Sequence, residues 1–280
     1  MRIHRKEEEL HEYLRREEWL VVRDAEAGDR ASMRSLAEIY EAWWRDLYYG
    51  DGETRKRPGD PDDLFRLAFR WRVRAAEAGD VESMCWVSVY MVKYRQQFHI
   101  TEEMAGGRSS LEWQRMAAEA GDRYAMKWMG DVYTNPAYED YDETIAVEWY
   151  EKSAAAGCIY AMHELAERYE NGIFYEKDLD RALSWYEKSA EGMDSWWDLA
   201  RSERKVSMED MVKCVDMHMA GLPMSAQEAD WLMEHLTKAE HLIAPTDAAE
   251  RLLQQGTENE ILVRKLRKAK LKMNAVRQER

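Results

Sequence analysis

Small and apolar residues recur at helical spacing after each of four short turns. Counting from Asp29, Asp80, Asp122 and Cys158, the third residue is small (Ser32, Ser83, Ala125, Ala161) and the fourth is Met (Met33, Met84, Met126, Met162). The seventh is apolar (Leu36, Val87, Met129, Leu165) and the eighth is small again (Ala37, Ser88, Gly130, Ala166). Positions three, four, seven, eight and eleven share one helix face, whereas a strand would alternate, so each stretch predicts a one-sided apolar helix. Small residues on that face let a neighbouring helix come close.

A second pattern precedes the turns. Trp71, Trp113 and Trp149 stand eight residues before Gly79, Gly121 and Gly157, and Trp185 stands seven before Gly192. Three residues before each Trp is a small residue, Ala68, Ser110, Ala146 or Ala182. The turns share one signature in RDAEAGD (23–29), RAAEAGD (74–80) and MAAEAGD (116–122), with KSAAAGC (152–158) and KSAEGMD (188–194) as degenerate copies. Glycine suits the left-handed geometry of a helix C-cap and aspartate suits the N-cap of the helix that follows. Each unit is therefore a helix, a connection, and a second helix carrying Trp and ending in two small residues. The hexapeptide WYEKSA, at 149–154 and 185–190, belongs to this second helix; its repetition marks a structural unit rather than an active site.

The glycine spacings of 51, 42 and 36 residues describe a period of about 36 with insertions in the early units. A period of paired helices is the mark of a solenoid. The expected fold is all-α, a right-handed α/α superhelical solenoid of about five helix-turn-helix repeats with a helical C-terminal cap. Residues 1–205 form the solenoid with an N-terminal capping helix, interrupted by loops at 46–61 and 95–109. In residues 206–280 the repeat signature fades: a helix from Met208 to Ala220 closes at Gly221, Ser225 with Glu228 opens a helix to about Ile243, and Thr257 with Glu260 opens a last helix into a basic tail.

The unit CIYAMHELAERYENGIFYEKDLDRALSWYEKSAEG resembles the Sel-one-like repeat family, α/α-hairpin relatives of the tetratricopeptide repeat. Ala161, Leu165, Ala166, Tyr169, Gly172, Asp178, Ala182, Trp185, Tyr186 and the Ser189–Ala190 pair match its repeat in order. The resemblance covers roughly residues 20–200 and implies an adaptor that holds partner proteins in the concave groove of a superhelix. Some bacterial members carry a disulfide-forming cysteine pair in each repeat. This chain does not, so that subgroup's periplasmic setting and hydrolase-like properties are not implied.

Composition narrows the function classes. A net charge of −14 repels phosphate backbones and counts against general nucleic-acid binding. The charge is uneven: residues 264–280 hold eight Lys or Arg and one Glu, leaving −21 on the rest. That tail is expected either to pack as an amphipathic helix, with Leu262, Leu266, Ala269 and Met273 inward, or to dock on an acidic surface such as nucleic acid, membrane or the chain's own body. No apolar run reaches the roughly 18 residues of a membrane span, and the charged start MRIHRKEEELHEYLRREEW lacks a secretory signal. A bacterial cytoplasm is the expected location. Cys85, Cys158 and Cys214 have no paired spacing and read as reduced thiols. Cys158, at a helix start, is either a small buried residue or a reactive thiol.

No motif for catalysis, a metal or a cofactor appears: there is no HExxH pair, phosphate loop or nucleophile elbow. Trp71, Trp113, Trp149 and Trp185, with Gly79, Gly121 and Gly157, are expected in the structural core. Trp43–Trp44 and Trp196–Trp197 fall outside the regular slot and either pack or anchor a partner. The places that vary on the first helices, five and nine past the N-cap, are Arg34 and Glu38, Lys127 and Asp131, and His163 and Glu167. They are either a solvated, ion-paired face or a mixed-charge groove for a partner protein or peptide. The reading is a non-catalytic protein-interaction scaffold; the alternatives are an immunity or regulatory protein that neutralises a cognate toxin, and an enzyme without a visible motif.

Overall fold

The structure, a computed structural model, describes residues 19–49, 60–137, 141–191, 201–243 and 268–272. The N-terminal capping helix, Trp196–Trp197, the Thr257–Glu260 box and residues 264–267 and 273–280 of the tail lie outside them. Every element among the described residues is a helix. In chain order these are α1 (Trp19–Glu26), α2 (Arg30–Tyr49), α3 (Pro61–Glu77), α4 (Val81–Lys93), the single turn α5 (Arg95–Phe98), α6 (Ser110–Glu119) and α7 (Arg123–Thr134). They continue as α8 (Glu143–Ala155), α9 (Ile159–Asn171), α10 (Leu179–Glu191), α11 (Arg201–Met219) and α12 (Ala226–Ile243). The hairpins are thus α2–α3, α4–α6, α7–α8 and α9–α10.

One joint is built the same way each time. The Asp80 N–H donates to Ala75 O and the Gly79 N–H to Ala76 O, both at 2.9 Å, and Asp122 with Gly121 and Cys158 with Gly157 repeat this closure. This is the Schellman arrangement, and it requires the positive φ that Gly79, Gly121 and Gly157 adopt (90°, 100° and 84°). The same Asp then caps the next helix: Asp29, Asp80 and Asp122 accept from the N–H three residues on at 2.7, 2.9 and 2.7 Å. Cys158 makes no such bond; it is fully buried in the core formed by Ala146, Tyr150, Ala161 and Leu165.

The chain divides into two compact units, residues 1–129 and 130–280. In the first unit α1 packs on α2, α2 on α3, α3 on α4 and α4 on α6. Trp44 is buried edge-on to Phe65, Tyr94 and Phe98, so this half of the Trp43–Trp44 pair is core. The insertion at 95–109 is not a bare loop either: Phe98 stacks on Phe65 at 3.8 Å, and Ile100 and Ala105 are buried with it. The expected loop at 46–61 begins later, because α2 runs on to Tyr49.

In the second unit α8 packs on α9, α9 on α10, and α11 on both α9 and α10, with α12 beyond it. Met208, Met211, Cys214 and Val215 of α11 join Tyr169, Leu183 and Tyr186 of the last hairpin in one core. Ala269 is buried in that core as well, and Lys272 pairs with Asp216.

The tryptophan slot needs correction in this unit. Trp71 and Trp113 are buried, but Trp149 and Trp185 are only half-buried, with Lys152 and Lys188 over their rings at 4.8 and 4.1 Å. The residue after each Trp is buried in all four hairpins: Arg72, Gln114, Tyr150 and Tyr186. One residue turns a helix by about 100°, so the inward direction lies between the two side chains. In the later hairpins it favours the tyrosine.

Candidate functional site

The residue after Trp supplies the polar tip of a recurring contact. In α3, Arg72 Nη2 reaches Glu38 Oε1 at 3.4 Å and Glu41 Oε2 at 3.7 Å on α2. In α8, the Tyr150 hydroxyl donates to Asp131 Oδ1 at 2.9 Å on α7, and in α10 the Tyr186 hydroxyl donates to Glu170 Oε2 at 2.6 Å on α9. An acid on the first helix of a hairpin is thus held by its own second helix.

The next first helix holds the same acid. Glu41 is buried and accepts Trp86 Nε1–H at 3.1 Å and the Tyr90 hydroxyl at 2.9 Å, both from α4. Burial, then the Glu41 carboxylate, pushes the Tyr90 phenol up. In the second unit Lys213 of α11 reaches Glu167 at 3.3 Å, Glu170 at 2.9 Å and the Tyr186 hydroxyl at 2.7 Å. Burial alone would raise the Glu170 carboxyl, but its bonds to Tyr186 and Lys213 outweigh that and hold it down. By these contacts α11 stands where another first helix would stand.

Most of the positions expected to line a partner groove are therefore used within the fold. Arg34 lies 3.1 Å from both Asp80 and Glu82 and 3.8 Å from Glu38. His163 Nδ1 lies 2.7 Å from Asp210 Oδ1, and its Nε2 lies 3.5 Å from Glu167. Asp131 accepts from Tyr150, and Lys127 is half-buried. The structure brings Arg34 to Glu38 and His163 to Glu167. Sequence reasoning missed Glu41, Arg72, Asp210 and Lys213. Only Glu41 and Arg72 carried a signal, at the helix positions beside the variable places and beside the Trp.

Among the described residues no group of three or more His, Cys, Asp or Glu is placed to hold a metal ion, and no helix is long and apolar enough to cross a membrane. What does reach solvent is an apolar strip on α4. Five, nine and twelve residues past its N-cap stand Cys85, Val89 and Val92. The same places carry Arg34, Glu38 and Glu41 in α2, and His163, Glu167 and Glu170 in α9. Val89 is 52% and Val92 69% exposed. Beside them the half-buried Trp86 and Tyr90 rings stack at 3.7 Å, their polar tips turned in to Glu41.

The Sel1 repeat family model matches residues 47–80, 123–158 and 159–192. The chain is a Sel1-repeat protein. A Sel1 repeat protein from Oxalobacter formigenes has a similar solved structure, with a TM-score of 0.51 at 18% identity over 90% of this chain and 89% of that one. A protective antigen of uropathogenic Escherichia coli strains displaying an SLR fold is also similar, with a TM-score of 0.49 at 21% identity over 91% of this chain and 56% of that one. No curated protein matches. The matched segments explain the geometry: 123–158 and 159–192 are the hairpins α7–α8 and α9–α10. In this Sel1-repeat protein the joint residues, the small face and the residue after Trp are the repeat's own framework, while the α4 strip departs from it.

Proposed function

We propose that this Sel1-repeat chain is a non-catalytic scaffold that binds a partner protein or peptide through the strip formed by Val89 and Val92 with the Trp86–Tyr90 stack. Sel1 repeat proteins are typically non-catalytic interaction scaffolds. The observation that carries the reading is the exchange of charged for apolar residues at the exposed repeat positions of α4. Nothing in the packing of that helix requires valine there: both side chains point to solvent, and valine is a weaker helix former than the charged residues it replaces. Stacked aromatics fixed from behind by Glu41 give the strip a preorganised edge, the arrangement that anchors protein interfaces.

The test is affinity capture from the native host followed by reconstitution with the purified partner, first candidates being proteins encoded beside this chain. Val89→Lys with Val92→Lys should reduce reconstituted binding at least about tenfold, while stability stays within about 0.5 kcal/mol, as for exposed substitutions. Unchanged binding by the double variant overturns the assignment of the strip.

A further inference from the structure

One ionisable pair, a buried Asp210 and a half-buried His163, joins α11 to the last hairpin. Asp210 is 0% exposed; its Oδ1 lies 2.7 Å from His163 Nδ1 on α9, and its buried Oδ2 makes no close hydrogen bond, the Ser189 hydroxyl being the polar side chain that acts on this carboxylate from α10. His163 is also faced by Glu167 from α9, by the Tyr186 ring of α10 at 6.0 Å between centroids, and by the Lys213 charge from α11. We propose that His163 and Asp210 form a pH-responsive latch, which holds α11 on the last Sel1 hairpin when the imidazole is charged and loosens it as the pH rises.

A buried carboxylate is costly unless a counter-charge lies against it. The imidazolium supplies that charge. The Lys213 charge also acts on Asp210, but its ammonium is bonded to Glu167, Glu170 and Tyr186 rather than to this carboxylate. After deprotonation, Nδ1–H can still donate to Asp210, but the carboxylate has lost the cation bonded to it.

Burial draws the His163 pKa down, yet the hydrogen bond and charge of Asp210, with Glu167, outweigh it and leave the group above its ordinary 6.5, against opposition from Lys213. A histidine raised in the folded state contributes stability that is complete below the unfolded value and is lost as pH rises through the folded one. Asp210 is raised by burial, partly offset by His163, so its own contribution has the same sign, in the acid range above 3.8. The apolar contacts of Met208, Met211 and Val215 do not titrate, so the change falls on how firmly α11 is held.

Amide hydrogen exchange reads this directly, because protection factors remove the intrinsic pH dependence of exchange. Between about pH 6 and about pH 8.5 the protection of α11 relative to α8 should fall several-fold, as the raised imidazole loses its proton. His163→Gln should show the weakened protection at both pH values, and Asp210→Asn, which buries no charge, should show no pH dependence. A constant ratio in the native chain, or the same fall in His163→Gln, overturns the latch. If neither variant folds, titration of the native His163 ring by NMR decides: a midpoint at or below that of free histidine overturns it.

Discussion

Glu41 holds more of the first unit together than its place on an exposed-looking helix face suggests. It accepts from Trp86 and Tyr90 at 3.1 and 2.9 Å and lies against the buried Arg72 guanidinium. Removing one partner of such a pair leaves the other charge buried and uncompensated, which costs more than the pair contributes. Glu41→Ala should therefore destabilise the chain by about 3 kcal/mol in urea denaturation, and Glu41→Gln, which keeps an acceptor for the indole and phenol, by clearly less. Equal losses would show that the charge against Arg72, and not the acceptor for the indole and phenol, is what matters there.

At the scale of the element, the small residue eight past each N-cap sets how closely two helices approach. Gly130 on α7 faces the Tyr150 ring, and a Cβ added at that position would lie 2.5 Å from it. The ring cannot swing aside, because it is buried and its hydroxyl is bonded to Asp131. Alanine elsewhere on a helix improves propensity by about 1 kcal/mol over glycine. Here overpacking should win, so that Gly130→Ala destabilises by about 1–3 kcal/mol in thermal or urea unfolding. Ala37 and Ala166, at the equivalent places, are fully buried; Ala166 stands in a hairpin that also has a tyrosine after its Trp, so it is the close approach of the Tyr150 ring in particular that leaves only glycine room in the third hairpin. The position was legible as small, but its reason was not, since which of Trp149 and Tyr150 turns inward depends on helix rotation.

For the molecule as a whole, the basic C-terminal stretch belongs at least partly to the fold. Ala269 lies in the core with α10, α11 and α12, and Lys272 pairs with Asp216. Ending the chain after residue 267 should remove about 1 kcal/mol and lower the melting temperature by about 2–4 °C. An unchanged melting temperature would mean that the segment contributes nothing to the second unit. The latch at His163 and the cover supplied by this segment act on the same helices, so loosening of α11 at high pH should be greater in the shortened chain.

Local physical chemistry, readable in the order of residues, determined the all-α class, the hairpin period, the Gly-Asp joints and the small faces. Each depends on neighbours within one or two turns: a left-handed C-cap, an N-cap carboxylate, a stripe at helical spacing. The contacts between helices were decided only by the tertiary structure. Whether Trp149 or Tyr150 points inward depends on helix rotation of less than one residue's turn, and whether Arg34 and His163 face a partner or the next hairpin depends on what stands 46 or 47 residues away. Asp210 carries no repeat signature, so its pairing with His163 was invisible until α11 was placed as the helix that closes the array. Conversely, valine at 89 and 92 is ordinary in the order of residues; only packing, which leaves both in solvent, sets them apart.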